Sequence, residues 1–169
     1  MRMPVPPSGW RAAARALILA PILVSAACGF HLRGRADLPR SLADVRLDAS
    51  DRQSDFYSAL RAALNASGSR LDAASTDAAT IRILEDSSSE RVLTVSARNT
   101  PTAFLLAYTV KVAVDYQGRE LLAPEVHTLT REYSFDENAL LAKNRERDTL
   151  RQALADDLVT LVMHRLAAL

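Results

Sequence analysis

The chain has 169 residues, with 21 basic against 20 acidic side chains and a single cysteine. That length suits one ordinary domain, a lone cysteine excludes an internal disulfide framework, and so balanced a charge excludes a strongly basic nucleic-acid binder. No zinc-finger or P-loop spacing occurs.

Residues Ala16–Cys28 read ALILAPILVSAAC, an apolar run behind Arg11 and Arg15 that ends in small residues just before the cysteine. This is the layout of a secretory leader, and the run is too short and too interrupted by Pro21 to cross a bilayer as a helix. A leader over 1–27 is expected. Ser25, Ala26 and Ala27 before Cys28 look like a bacterial lipobox, in which the cysteine becomes the first mature residue and carries a diacylglyceryl group and an N-acyl chain. Several acyl chains hold a protein at a membrane, where one alone would dissociate. In lipoproteins an Asp after the cysteine favours inner-membrane retention, so the resemblance to them implies that Gly29 allows sorting to the outer membrane. Arg2, Arg11 and Arg15 leave with the leader, so 18 basic residues then face 20 acidic ones.

The segment 28–41, with Gly34 and Pro39, reads as an extended lead-in. His31, His127 and His164 show no short ligand spacing, and no metal site is expected. A single domain is expected over 42–169. Val45 and Leu47 alternate with polar neighbours in a short first strand at Asp44–Asp48. Phe56, Leu60, Ala63 and Leu64 then fall at helical spacing, with Ser54 placed to cap the start and Asn65 to Gly68 placed to end it.

Leu71 to Ala79 reads as a connection. Strands are expected at Thr80–Glu85 and Arg91–Ala97, separated by the turn-like DSSSE. The longest alternation follows, with Leu106, Tyr108, Val110, Val112, Val114 and Tyr116 forming the dry face of a central strand. Gln117-Gly118 supplies its hairpin turn, and a returning strand from about Leu121 to Tyr133 contains Pro124, which fits an edge or a bulge. Ser134 and Glu137 have capping-box spacing, and Leu150, Leu154, Leu158, Leu161, Val162 and Leu166 trace a final helix. The expected fold is α+β: a four- or five-stranded, mostly antiparallel sheet with two helices packed on one face.

Catalytic constellations are weak. Ser87–Ser89 lack a nucleophile elbow, Asp156 and Asp157 read as a solvated helix face, and His127 and His164 read as surface or packed residues. A lipid-anchored binding or assembly module is the better reading, with an envelope lipid or glycan enzyme, or a lipoprotein serving another protein partner, as the alternatives.

Three stretches carry a family resemblance: CGFHLRG at Cys28–Gly34, the Arg98-Asn99 pair before the long strand, and REYSFDENALLAKNRERDTLRQAL at Arg131–Leu154. Together they resemble the LPS-assembly lipoprotein family LptE. The resemblance implies a non-enzymatic outer-membrane lipoprotein, lipid-anchored through Cys28 and without other cofactor. It implies a 1:1 partnership with the β-barrel LptD, which such a protein plugs from the periplasmic side and helps to assemble. It also implies contact with lipopolysaccharide in transit, carried over by motif to Arg98 and Lys143. Pro101 and Phe104 depart from the family's usual approach to the long strand.

Overall fold

The computed structural model describes residues 37–71, 75, 77–134 and 140–169, the side chains of 140–142 excepted. The leader, Cys28, His31 and Phe135–Glu137 of the expected capping box lie outside them.

A 3-10 turn at Arg40–Leu42 buries Leu42 and leads into β1, Asp44–Ala49. Helix α1, Asp55–Ala66, starts where expected, with Ser54 Oγ accepting the Tyr57 N–H at 3.0 Å. Of the residues read at helical spacing it buries Phe56, Leu60 and Leu64 and leaves Ala63 half-buried, and it buries Tyr57 besides. At its end Gly68 has φ +91 and Ser69 N–H bonds back to the Leu64 carbonyl, the left-handed closure that glycine makes without strain. Ser69, buried, donates its hydroxyl to the Leu42 carbonyl at 2.8 Å and ties the helix exit to the entry of the domain.

The remaining elements are β2, Arg70–Leu71; β3, Ala79–Val95; β4, Pro101–Tyr116; β5, Arg119–Ser134; and α2, Leu140–Ala167. The five strands form one sheet in the order β2-β1-β3-β4-β5. β3, β4 and β5 are antiparallel neighbours, as a meander requires. β1, however, runs parallel to both β2 and β3. The reversal through α1 brings β2 back in the same direction as β1, a crossover that two-residue hairpins cannot make.

Two expectations are corrected. DSSSE at Asp86–Glu90 is not a turn: β3 runs through it without a break, each residue paired with β4 from Asp86↔Val110 to Glu90↔Leu106. The long partner strand supplies the ladder, and serines on a wet strand cost little packing, so context overrides their turn preference. Leu71 belongs to a strand and not to the expected connection, because Arg70 and Leu71 pair with Asp44 and Val45. Arg70 also forks onto the Asp44 carboxylate at 2.6 and 2.8 Å, securing this short edge.

On the dry face of β4, Leu106, Tyr108, Val110, Val112 and Val114 are buried beneath the helices, and Tyr116 at its end is half-buried against the core. Ile81 and Ile83 of β3 and Leu122 and Tyr133 of β5 extend it sideways. From α2, Leu154, Leu158, Val162 and Leu166 close the core, joined by Ala155, Val159 and Met163; Leu161 lies off the stripe and is exposed. Each large aliphatic side chain so buried contributes about 1.5–3 kcal/mol. Pro124 sits on the outermost strand, in the irregularity where Val112↔Glu125 gives way to Val114↔Leu122, so no ladder donor is lost. Gln117 and Gly118 have φ 50 and 73, the two left-handed residues of a tight hairpin whose twist suits the sheet.

A polar network fixes α1 to the sheet. Tyr108 Oη donates to Asp86 Oδ1 at 2.8 Å, the other Asp86 oxygen accepts from Ser54 Oγ, and the Phe56 N–H reaches Tyr108 Oη at 3.4 Å. Burial, reinforced by the Asp86 bond and charge, raises the Tyr108 phenol above its ordinary range. Arg151 on α2 donates to Asp55 at 2.8 Å, so the first turn of α1 is held from both sides.

Candidate functional site

The β3–β4 connection carries the first expected contact residue. Asn99 N–H bonds the Ser96 carbonyl at 2.9 Å, Ser96 N–H bonds the Thr100 carbonyl at 2.7 Å, and Asn99 has φ 62. This is a tight turn closed by one left-handed residue, a position asparagine tolerates better than most. The hydroxyl of Ser96 accepts the N–H groups of Arg98 and Thr100, both at 3.3 Å. Arg98 therefore stands at a rigid tip, exposed and outside any ion pair formed among the described residues.

Lys143 occupies the first turn of α2. Its Nζ donates to Glu146 Oε2 at 2.7 Å, and the side chain is only 15% exposed. It is a partly covered cation with an i,i+3 partner, and an incoming anion must compete with that carboxylate.

The topology puts both residues at one end of the sheet. β4 begins at Pro101 after the Arg98 turn, and Ala103 pairs with Ser134, the last residue of β5 before α2. Between them lies a small aromatic and acidic cluster that sequence reasoning missed. Phe104 and Tyr133 stack with centroids 5.6 Å apart, and Tyr133 donates its hydroxyl to Glu90 across β4. Burial, then the Glu90 bond and charge, push the Tyr133 phenol up to about 12, with Glu146 adding to the rise and Arg147 opposing it. The Lys143–Glu146 spacing was readable from the sequence. The Glu90–Tyr133 bond was not, because it needs the registers of two strand pairs.

The residues considered for catalysis do not converge. Asp157 pairs with Arg131 at 2.8 Å, Ser87 donates to Glu85 at 3.3 Å, and His164 is exposed on α2. His127 lies on β5 with Nε2 buried, without a hydrogen bond, and 3.8 Å from Glu125. Among the described residues no three His, Cys, Asp or Glu side chains gather to hold a metal. Nor is any helix there long and apolar enough to span a membrane.

The lipopolysaccharide-assembly family LptE matches residues 42–166. The chain belongs to the LptE family. It is 27% identical over 147 residues to the LPS-assembly lipoprotein LptE of Pectobacterium atrosepticum, covering 86% of this chain and 79% of that one. To the LPS-assembly lipoprotein LptE of Yersinia pestis it is 28% identical over 139 residues, 80% of this chain and 66% of the relative. Solved lipoprotein structures share the fold. Lipoprotein B of Nitrosomonas europaea superposes with TM-score 0.67 at 24% identity, covering 83% of this chain and 91% of that one. The rare lipoprotein B of Shewanella oneidensis gives 0.66 at 23%, covering 74% and 94%. LptE proteins are non-enzymatic outer-membrane lipoproteins anchored through an N-terminal cysteine.

Proposed function

We propose that this LptE chain is the lipoprotein partner of the outer-membrane barrel LptD, seated in its lumen from the periplasmic side in a 1:1 complex, and that it hands lipopolysaccharide toward the outer leaflet. In this reading residues 1–27 are the leader, Cys28 carries the lipid, 28–41 lead away from the membrane, and 42–169 form the working domain. Arg98 and Lys143 contact the phosphorylated glycolipid. The observation that carries the reading is that, in a chain of this family, these two cations stand at the same end of the sheet, one at a rigid turn and one in the first turn of α2. Guanidinium and ammonium groups offer charge-assisted bonds to phosphate oxygens.

Reversing both charges, Arg98→Asp with Lys143→Asp, tests it. Neither residue is a cap, so the fold should change by no more than about 0.5 kcal/mol at exposed Arg98 and by about 1 kcal/mol at Lys143, where the Glu146 pair is lost and a like charge replaces it, while a repulsive charge facing phosphate weakens binding more than truncation does. Lipopolysaccharide retention should fall while circular dichroism and co-purification of the barrel persist. Undiminished retention by a folded variant removes both residues from the site.

A further inference from the structure

The hairpin that carries Arg98 has a second feature, an apolar rim. Val92, Leu93 and Val95 are 47%, 39% and 54% exposed, three of the few large apolar side chains left in water among the described residues. Strand registers show how they come together. Val92 pairs with Phe104 and Val95 with Pro101, which share the helix-bearing side of the sheet, whereas Thr94 pairs with Ala103 on the opposite side. The Thr94–Thr102 hydroxyl bond of 2.9 Å belongs to that opposite, polar side. Leu93 is the extra residue of the irregularity between Val92 and Thr94. Irregularities of this kind re-aim side chains near binding sites, and here one gathers valines along one side of the strip.

From Val92 to the tip the strip meets no acid, and Arg98 stands at the turn; Glu90 at its inner end is bonded to Tyr133, and Arg91 pairs with Leu105 on the opposite side. An apolar strip that ends at a cation complements a molecule that joins hydrocarbon to an anionic head. We infer that Val92, Leu93 and Val95 seat acyl chains of the phosphorylated glycolipid whose head meets Arg98. This deepens the function proposed above and rests on it for the identity of the lipid. The rim supplies affinity through hydrocarbon burial, and Arg98 sets orientation and choice of head.

The test compares two probes on the full chain, purified from membranes into an amphipathic polymer: intact lipopolysaccharide and its fully deacylated phosphosugar. The unaltered chain should bind the acylated probe roughly tenfold or more tighter, since several methylenes leave water at the rim. Val92→Ser, Leu93→Ser and Val95→Ser together should erase that preference and leave phosphosugar binding unchanged. Val92→Thr with Val95→Thr, which keeps strand propensity, should reduce the preference in the same direction if the triple variant folds poorly. An undiminished preference in a folded variant overturns the inference. So does equal competition by anionic phospholipid vesicles, or loss of barrel co-purification with lipid preference intact, which would make the rim a bilayer or protein contact. If the phosphosugar fails to bind and Arg98→Asp has no effect while the acyl preference still depends on the rim, the headgroup assignment fails and the rim stands.

Discussion

Substituting Tyr108→Phe removes a single oxygen from the centre of the domain, and its cost can be worked from the surroundings. The ring is 3% exposed and stays packed between Val110 and Leu106, so no cavity forms. What is lost is the 2.8 Å bond to Asp86 and the weaker 3.4 Å acceptance of the Phe56 N–H. A hydrogen bond to a charged group is worth about 1.5–3 kcal/mol. Asp86 keeps its bond from Ser54, so a loss of about 2 kcal/mol is expected, near the middle of that range. For a domain of this size that lowers the midpoint of thermal unfolding by about 8 °C. Urea titration followed by circular dichroism should show a lower midpoint with unchanged slope, because the surface exposed on unfolding is the same. A cycle with Asp86→Asn should return a coupling of about 1–2 kcal/mol between contacting groups. Tyr116→Phe is the control: its hydroxyl accepts only an exposed 3.4 Å contact from Gln117, and a change within about 0.5 kcal/mol is expected. A Tyr108→Phe cost as small as the control, with no coupling to Asp86, would refute the claim that this network pins α1 to the sheet.

Alkaline titration should destabilise the protein through Tyr108 and Tyr133, whose phenols ionise later in the fold than in the unfolded chain. The stability they contribute is complete below the unfolded value near pH ~10 and is lost as pH rises through the folded one, about 12 for Tyr133. The part of the ultraviolet phenolate absorbance that Tyr108→Phe and Tyr133→Phe remove should therefore rise together with the loss of circular dichroism, and its appearance near pH ~10 in a folded protein contradicts the expectation. Glu146→Gln releases Lys143 from its 2.7 Å partner and should strengthen lipopolysaccharide binding by about twofold, the worth of an i,i+3 pair, whereas weaker binding would mean that the pair, not the free ammonium, makes the contact. Cys28→Ala should leave an unprocessed precursor on a gel, and a normally processed, membrane-bound product would rule out lipid attachment there.

What the sequence disclosed follows from where burial is one-sided. β4 was legible because alternate residues enter a core, and α1 because its apolar residues repeat at helical spacing between Ser54 and Gly68. Pro124 and Gln117-Gly118 announced an edge and a hairpin through backbone chemistry alone. β3 was split in two because Ser87, Ser88 and Ser89 are turn-type residues, and only a long neighbour can recruit them into a strand. β2 has two residues and no period to read, and the parallel pairing of β1 depends on contacts far apart in sequence. The Arg98-Asn99 pair was placed just before the long strand, and it forms the turn there. The apolar rim beside it escaped notice, because Leu93 and Val95 alternate like core residues and the end of the helical layer leaves no mark in the sequence.

The barrel partnership is the central claim, and one preparation tests it most directly. The full chain, tagged at its C-terminus and extracted from outer membranes in mild detergent, should elute with a single large β-barrel protein in equal amount, and that complex should survive the Arg98→Asp, Lys143→Asp pair. Elution of the chain alone, or with a soluble or inner-membrane protein in equal amount, would contradict the account.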